Sequence, residues 1–133
     1  MRSISFVLLA AALLGIATSD ADEAVQPKLG AECFFIRDFE SWKAPPDAKS
    51  IYIRVEHKRY LRLELAAACP LLTWPDARLI THWRGPSVAC DALDWDIRVS
   101  DGAPVGASEP CIVKQVHAMT PEEVAALPKK LRP

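Results

Sequence analysis

The 133-residue chain lacks a charge excess of either sign, with sixteen Lys and Arg against seventeen Asp and Glu. A nucleic-acid-binding domain usually carries a strong basic excess, so the balance argues against that class. Glycine is scarce, five residues against eleven prolines, which favours turns and short elements over long helices. There is no Gly-rich phosphate loop, no H-E-x-x-H and no G-x-S-x-G. The signatures of nucleotide binding, zinc peptidases and the serine nucleophile elbow are therefore missing. No two cysteines are spaced as C-x-x-C; successive ones lie 36, 21 and 21 positions apart, which does not fit a zinc site. After the first seventeen residues, no apolar run is long enough to span a bilayer.

What is present begins with an export signal. Met1-Arg2-Ser3 is short and basic, and Ile4 to Ala17 is almost unbroken apolar sequence. Fourteen residues fall short of the roughly 20 of a transmembrane helix and match the apolar region of a secretory signal peptide. Small residues follow, with cleavage acceptable after Ser19 or after Ala21. The expected organisation is a signal peptide over 1–21, a flexible arm over 22–32 and one domain over 33–133. The mature protein is expected in the periplasm or secreted, and not to span a membrane. A length of 133 residues is that of a single domain.

Cys33, Cys69, Cys90 and Cys111 all fall in the mature part. An even count in a small exported chain reads as two disulfides. Four cysteines allow three pairings. Strand directions favour Cys69 with Cys90 and Cys33 with Cys111. A full return strand over residues 78–83 would instead favour Cys33 with Cys90 and Cys69 with Cys111.

The clearest periodicity runs from Ser50 to Ala66. Ile51, Ile53 and Val55 alternate with Tyr52, Arg54 and Glu56, and Leu61, Leu63 and Leu65 alternate with Tyr60, Arg62 and Glu64. This predicts a hairpin with one apolar and one polar face. Opposite-charge pairing favours the register with Arg54 facing Glu64 and Glu56 facing Arg62, with Lys58-Arg59-Tyr60 as the loop. Further strands are expected over Cys33 to Asp38, Ala77 to Trp83, Asp94 to Val99 and Cys111 to Met119. Thr120-Pro121-Glu122-Glu123 is a helix start with a capping box, Pro128 ends that helix, and the basic tail after it is expected to be mobile. The fold class that follows is mainly β. It is a small antiparallel sheet or partly open barrel of five to six strands, with a short C-terminal helix and two disulfides.

Several stretches carry a resemblance. They include Cys33-Phe-Phe-Ile-Arg-Asp-Phe-Glu-Ser-Trp42, Tyr60-Leu-Arg-Leu-Glu-Leu65 with Cys69-Pro70, Val88-Ala-Cys90, Cys111-Ile-Val-Lys114 and Met119-Thr-Pro-Glu-Glu-Val124. Together they resemble a family of short exported bacterial proteins of unknown function, with four cysteines and a closing Thr-Pro-Glu-Glu. The resemblance implies export and one compact domain, and transfers no activity, cofactor or partner.

Candidate functional residues are few. Arg54, Lys58, Arg59 and Arg62, with Tyr52 and Tyr60, form a basic, aromatic hairpin face suited to an anionic glycan, a lipid headgroup or an acidic protein of the envelope, though Glu56 and Glu64 lie among them. Trp42, Trp74, Trp83 and Trp95 are candidates for sugar stacking. Trp95 is expected in the core, and Trp74, flanked by prolines, is the best exposed candidate. Arg37 and Asp38 are read as an internal ion pair. His57, His82 and His117 are the only imidazoles available for acid–base work, and Asp91, Asp94, Asp96 and Asp101 the only dense carboxylate group. No catalytic residue, metal or cofactor is assigned. The function expected is a binding or structural component of the cell envelope or periplasm. The alternatives are a small histidine-dependent hydrolase and a secreted enzyme inhibitor presenting the loop 70–77 or 100–110.

Overall fold

In the computed structural model, residues 30–85 and 87–133 are described. The expected leader and residues 22–29 of the expected arm lie outside the described residues. The end of that arm is a turn, in which the Cys33 N–H donates to the Gly30 carbonyl at 2.9 Å.

Nine strands and one α-helix follow in chain order. They are β1 Phe34–Phe35, β2 Phe39–Lys43, β3 Ser50–Val55, β4 Arg59–Leu65, β5 Arg78–Trp83, β6 Val88–Ala89, β7 Trp95–Ser100, β8 Ser108–Cys111, β9 Val113–Ala118 and α1 Pro121–Ala126. They form three antiparallel sheets, ordered β2-β3-β4-β9, β5-β7-β8 and β1-β6. The mainly β fold with a short C-terminal helix and two disulfides is as the sequence predicts. The expected strand over 33–38 is broken, because a 3-10 turn at Ile36–Asp38 separates β1 from β2.

β3 and β4 make the expected hairpin. Ile51, Ile53, Val55, Leu61 and Leu63 are fully buried on one face, and Tyr52, Arg54, Arg62 and Glu64 lie on the other. Each such aliphatic side chain contributes roughly 1.5–3 kcal/mol by leaving water. The register differs from the expected one. Tyr52 faces Arg62 and Arg54 faces Tyr60, with Glu56-His57-Lys58 as the turn. Glu56 and His57 take left-handed backbone angles, φ 51° and 64°, and the Glu56 N–H donates to the Asp38 carbonyl at 3.1 Å. Charges find partners without crossing the hairpin. Arg54 Nε donates to Glu40 at 2.8 Å, Arg59 to Glu56 at 2.9 Å and Arg62 to Glu64 at 3.1 Å. A cross-strand ion pair is worth only about 0.2–1 kcal/mol, so charge complementarity did not choose the register.

The disulfides are Cys33–Cys90 and Cys69–Cys111, which corrects the favoured pairing of Cys69 with Cys90 and Cys33 with Cys111. The reason is β5. Residues 78–83 form a full strand paired along its whole length with β7. The chain then returns through β6, where Ala89 faces Phe34 and Cys90 comes beside Cys33.

All three sheets contribute to one core. At the Cys33–Cys90 end, Trp83 and Trp95 face each other across β5 and β7 with ring centroids 4.5 Å apart. Phe34 sits 5.9 Å from both. Trp95 is thus a core residue, as expected.

The C-terminal segment is tied down rather than mobile. Thr120 Oγ1 accepts the Glu123 N–H and the Glu123 carboxylate accepts the Thr120 N–H, closing the expected capping box. Beyond Pro128, Lys129–Leu131 form a 3-10 turn. Arg132 donates to the carbonyls of Leu127 and Ala125 at 3.0 and 2.7 Å, and the buried Pro133 accepts Arg54 through its backbone oxygen at 3.2 Å. The segment therefore runs over the polar face of the four-stranded sheet, from His117 on β9 towards Lys43 on β2.

Candidate functional site

Tyr52, Arg54, Tyr60 and Arg62 share the polar face of β3 and β4, and all four are half-buried. Register extends the row Lys43, Tyr52, Arg62 and His117 across the four strands. Much of its charge is already engaged. Arg54 is held by Glu40 and Pro133, Arg62 by Glu64, and His117 Nε2 by Glu123 at 3.1 Å. Burial alone would raise the Glu40 carboxyl. The His57 N–H and the Arg54 guanidinium outweigh it and hold Glu40 below the usual carboxylate range. Glu123 is held low chiefly by the Thr120 N–H, with His117 adding to it.

Arg37 and Asp38 form a surface pair rather than an internal one. They stand 3.7 Å apart with the Arg37 side chain 79% exposed and lying over the Phe35 ring.

Trp74 is exposed, at 52%, and sits at the end of a 3-10 turn over Pro70–Thr73. Its N–H donates to the Leu71 carbonyl, and the turn begins at the disulfide-bonded Cys69. The loop carrying Trp74 is thus anchored at one end. It forms one wall of a groove of about 570 Å³, and Trp42 at the end of the edge strand β2 forms another. Leu72 and Leu131 supply apolar surface between them, and Lys43 and Lys130 lie at its margin. Among the described residues neither lysine has an ion-pair partner. The groove is thus lined by two tryptophans and by two lysines that have no ion-pair partner among the described residues. The sequence groups Trp42 with Trp74 only as one of four tryptophans and gives no sign of Lys130, since the three residues lie 32 and 56 positions apart along the chain. The one sequence signal was tryptophan content itself.

The remaining candidates serve the scaffold. Asp94 accepts the N–H groups of Cys90 and Asp91, and Asp91 accepts that of Leu93, which closes the turn before β7. Asp101 accepts the N–H groups of Ala103 and Ala107 and shapes the loop before β8. His82 lies on the exposed face of β5, and His57 Nδ1 meets Glu40 at 2.7 Å on the hairpin tip, 89% exposed. None of the three histidines lines the groove beside Trp74. Cys69, Cys111 and Glu109 lie close together, but the sulfurs are bonded to each other and Glu109 accepts the Leu71 N–H at 2.8 Å.

No protein family, curated protein or solved structure matches this chain. Two disulfides fit an oxidising, extracellular environment. Among the described residues no helix is long and apolar enough to cross a membrane.

Proposed function

We propose that this chain is an exported binding domain of the cell envelope or periplasm, and that the groove between Trp42 and Trp74 recognises an anionic saccharide. The observation that carries this reading is the sharing of one groove by two tryptophans and by Lys43 and Lys130, neither of which has an ion-pair partner among the described residues. An indole presents a flat apolar face to the C–H face of a sugar ring. A lysine at the margin supplies a cation for a uronate or sulfate group. Binding sites of this kind are concave, largely pre-formed and oriented by a few polar groups. The disulfide at the base of the Trp74 loop supports the reading, because it limits the entropy lost when the loop is held against a ligand.

Calorimetric titration of the disulfide-bonded protein with a polyuronate oligosaccharide tests this. Binding is expected, with a neutral oligosaccharide of equal length binding more weakly. Trp74→Ala is expected to weaken binding at least about fivefold, on the scale of the roughly 1–3 kcal/mol that a nucleic-acid base gains by stacking on an aromatic side chain. Its melting temperature should stay unchanged, since the indole is exposed. No binding, or equal binding by W74A, would overturn the proposal. The enzyme-inhibitor reading rests on the same anchored loop, and would be favoured by W74A losing inhibition of a co-exported hydrolase while no saccharide binds.

A further inference from the structure

A second cleft, of about 520 Å³, lies between the β3–β4 turn and α1 and shares no lining residue with the tryptophan groove. Its lining is aliphatic, supplied by Met119, Pro121, Val124 and Ala125, with the ring of Tyr60 at one side. Lys58, Arg59 and Arg132 are the charged residues that line it, and no acidic side chain does. Arg59 is occupied by Glu56 and by the carbonyls of Ala31 and Cys33. Lys58 and Arg132 have no ion-pair partner among the described residues. Arg132 meets only backbone carbonyls. In a chain with formal net charge −1, an aliphatic cleft bordered by cations alone is a local departure from the average.

We infer that this cleft binds an anionic amphiphile, a straight acyl chain carrying a carboxylate or phosphate head. The chain lies along Met119 and Val124, and the head meets Lys58 and Arg132. A flexible thioether adapts to a chain without fixed shape better than a β-branched residue does. The cations pair with the head at the solvent margin, where its remaining charge stays hydrated. A neutral amphiphile has the same apolar contact and lacks the second half of the match.

Titration of the disulfide-bonded protein with dodecanoate, below the concentration at which it self-associates, tests this through the methyl resonance of Met119. Met1 is the only other methionine, so assignment is direct. The Met119 signal is expected to shift saturably. Dodecyl maltoside, with the same chain and no charge, should bind at least about fivefold more weakly, and Lys58→Glu should weaken dodecanoate by about fivefold, as loss and reversal of a solvent-exposed ion pair imply. K58E alters an exposed turn residue, so its melting temperature should match that of the parent. Co-sedimentation with phosphatidylglycerol vesicles would identify a lipid headgroup as the source of the anion. Dodecanoate binding without co-sedimentation would identify a free fatty acid. An unmoved Met119 methyl, or equal affinity for the charged and neutral amphiphiles, overturns the inference.

Discussion

Glu40 joins more of the molecule than any other single carboxylate described. One oxygen accepts the His57 N–H at 2.6 Å and meets its ring at 2.7 Å, and the other takes Arg54 Nε at 2.8 Å. Arg54 in turn holds Pro133. The edge strand and the hairpin tip thus meet at Glu40, and Arg54 links both to the C-terminal segment. Its acidity is raised in the fold, so the sign of its pH effect follows. A carboxyl whose folded pKa is depressed stabilises the fold above its unfolded value of about 4.3, and that contribution fades as pH falls through the folded value. Glu40→Gln is therefore expected to melt below the parent at pH 7, and the gap should narrow as pH drops below about 4. Thermal melts of both proteins from pH 7 to pH 3 check this. A gap that stays constant or widens in acid would contradict it.

At the scale of elements, alternation was legible and connection was not. The period-two pattern over 50–65 predicted a buried face that the structure bears out, because side-chain alternation is a local property of an extended chain, whereas the strand over 78–83 alternates only between half-buried and exposed positions. The capping box at Thr120 and Glu123 was equally legible, since its partners are three residues apart. Register depended on the left-handed pair Glu56 and His57, two residue types with little turn signature. The disulfide pairing depended on how far β5 returns, which no local pattern records. Both bridges close long loops, with sequence separations of 57 and 42. Loop-closure entropy assigns each about 4 kcal/mol, a large share of the roughly 5–15 kcal/mol of a typical domain. Replacing Cys69 and Cys111 together by Ala should accordingly lower unfolding free energy by about 2–5 kcal/mol in a denaturant titration. Digestion without reduction should yield linked peptides containing Cys33 with Cys90 and Cys69 with Cys111, and Cys69 linked to Cys90 would refute the strand order.

At the scale of the whole molecule, the polar hairpin face and the exposed tryptophan were visible in the sequence, and their different surroundings were not. The C-terminal segment runs over the first and leaves the second open. That difference arises from contacts across the full length of the domain, such as Arg54 with Pro133 and Leu131 beside Trp42. Of the two candidate surfaces, it leaves the Trp42–Trp74 groove open and engages much of the face of Tyr52, Arg54, Tyr60 and Arg62. The four tryptophans provide their own controls, since Trp83 and Trp95 pack against each other and against Phe34 while Trp42 and Trp74 line the groove. The decisive measurement is a nitrogen–proton correlation spectrum of the indole groups during titration with a polyuronate oligosaccharide. The Trp42 and Trp74 signals are predicted to move together and saturate while those of Trp83 and Trp95 hold still. A titration in which Trp74 stays fixed, or in which all four move alike, would contradict recognition at this groove.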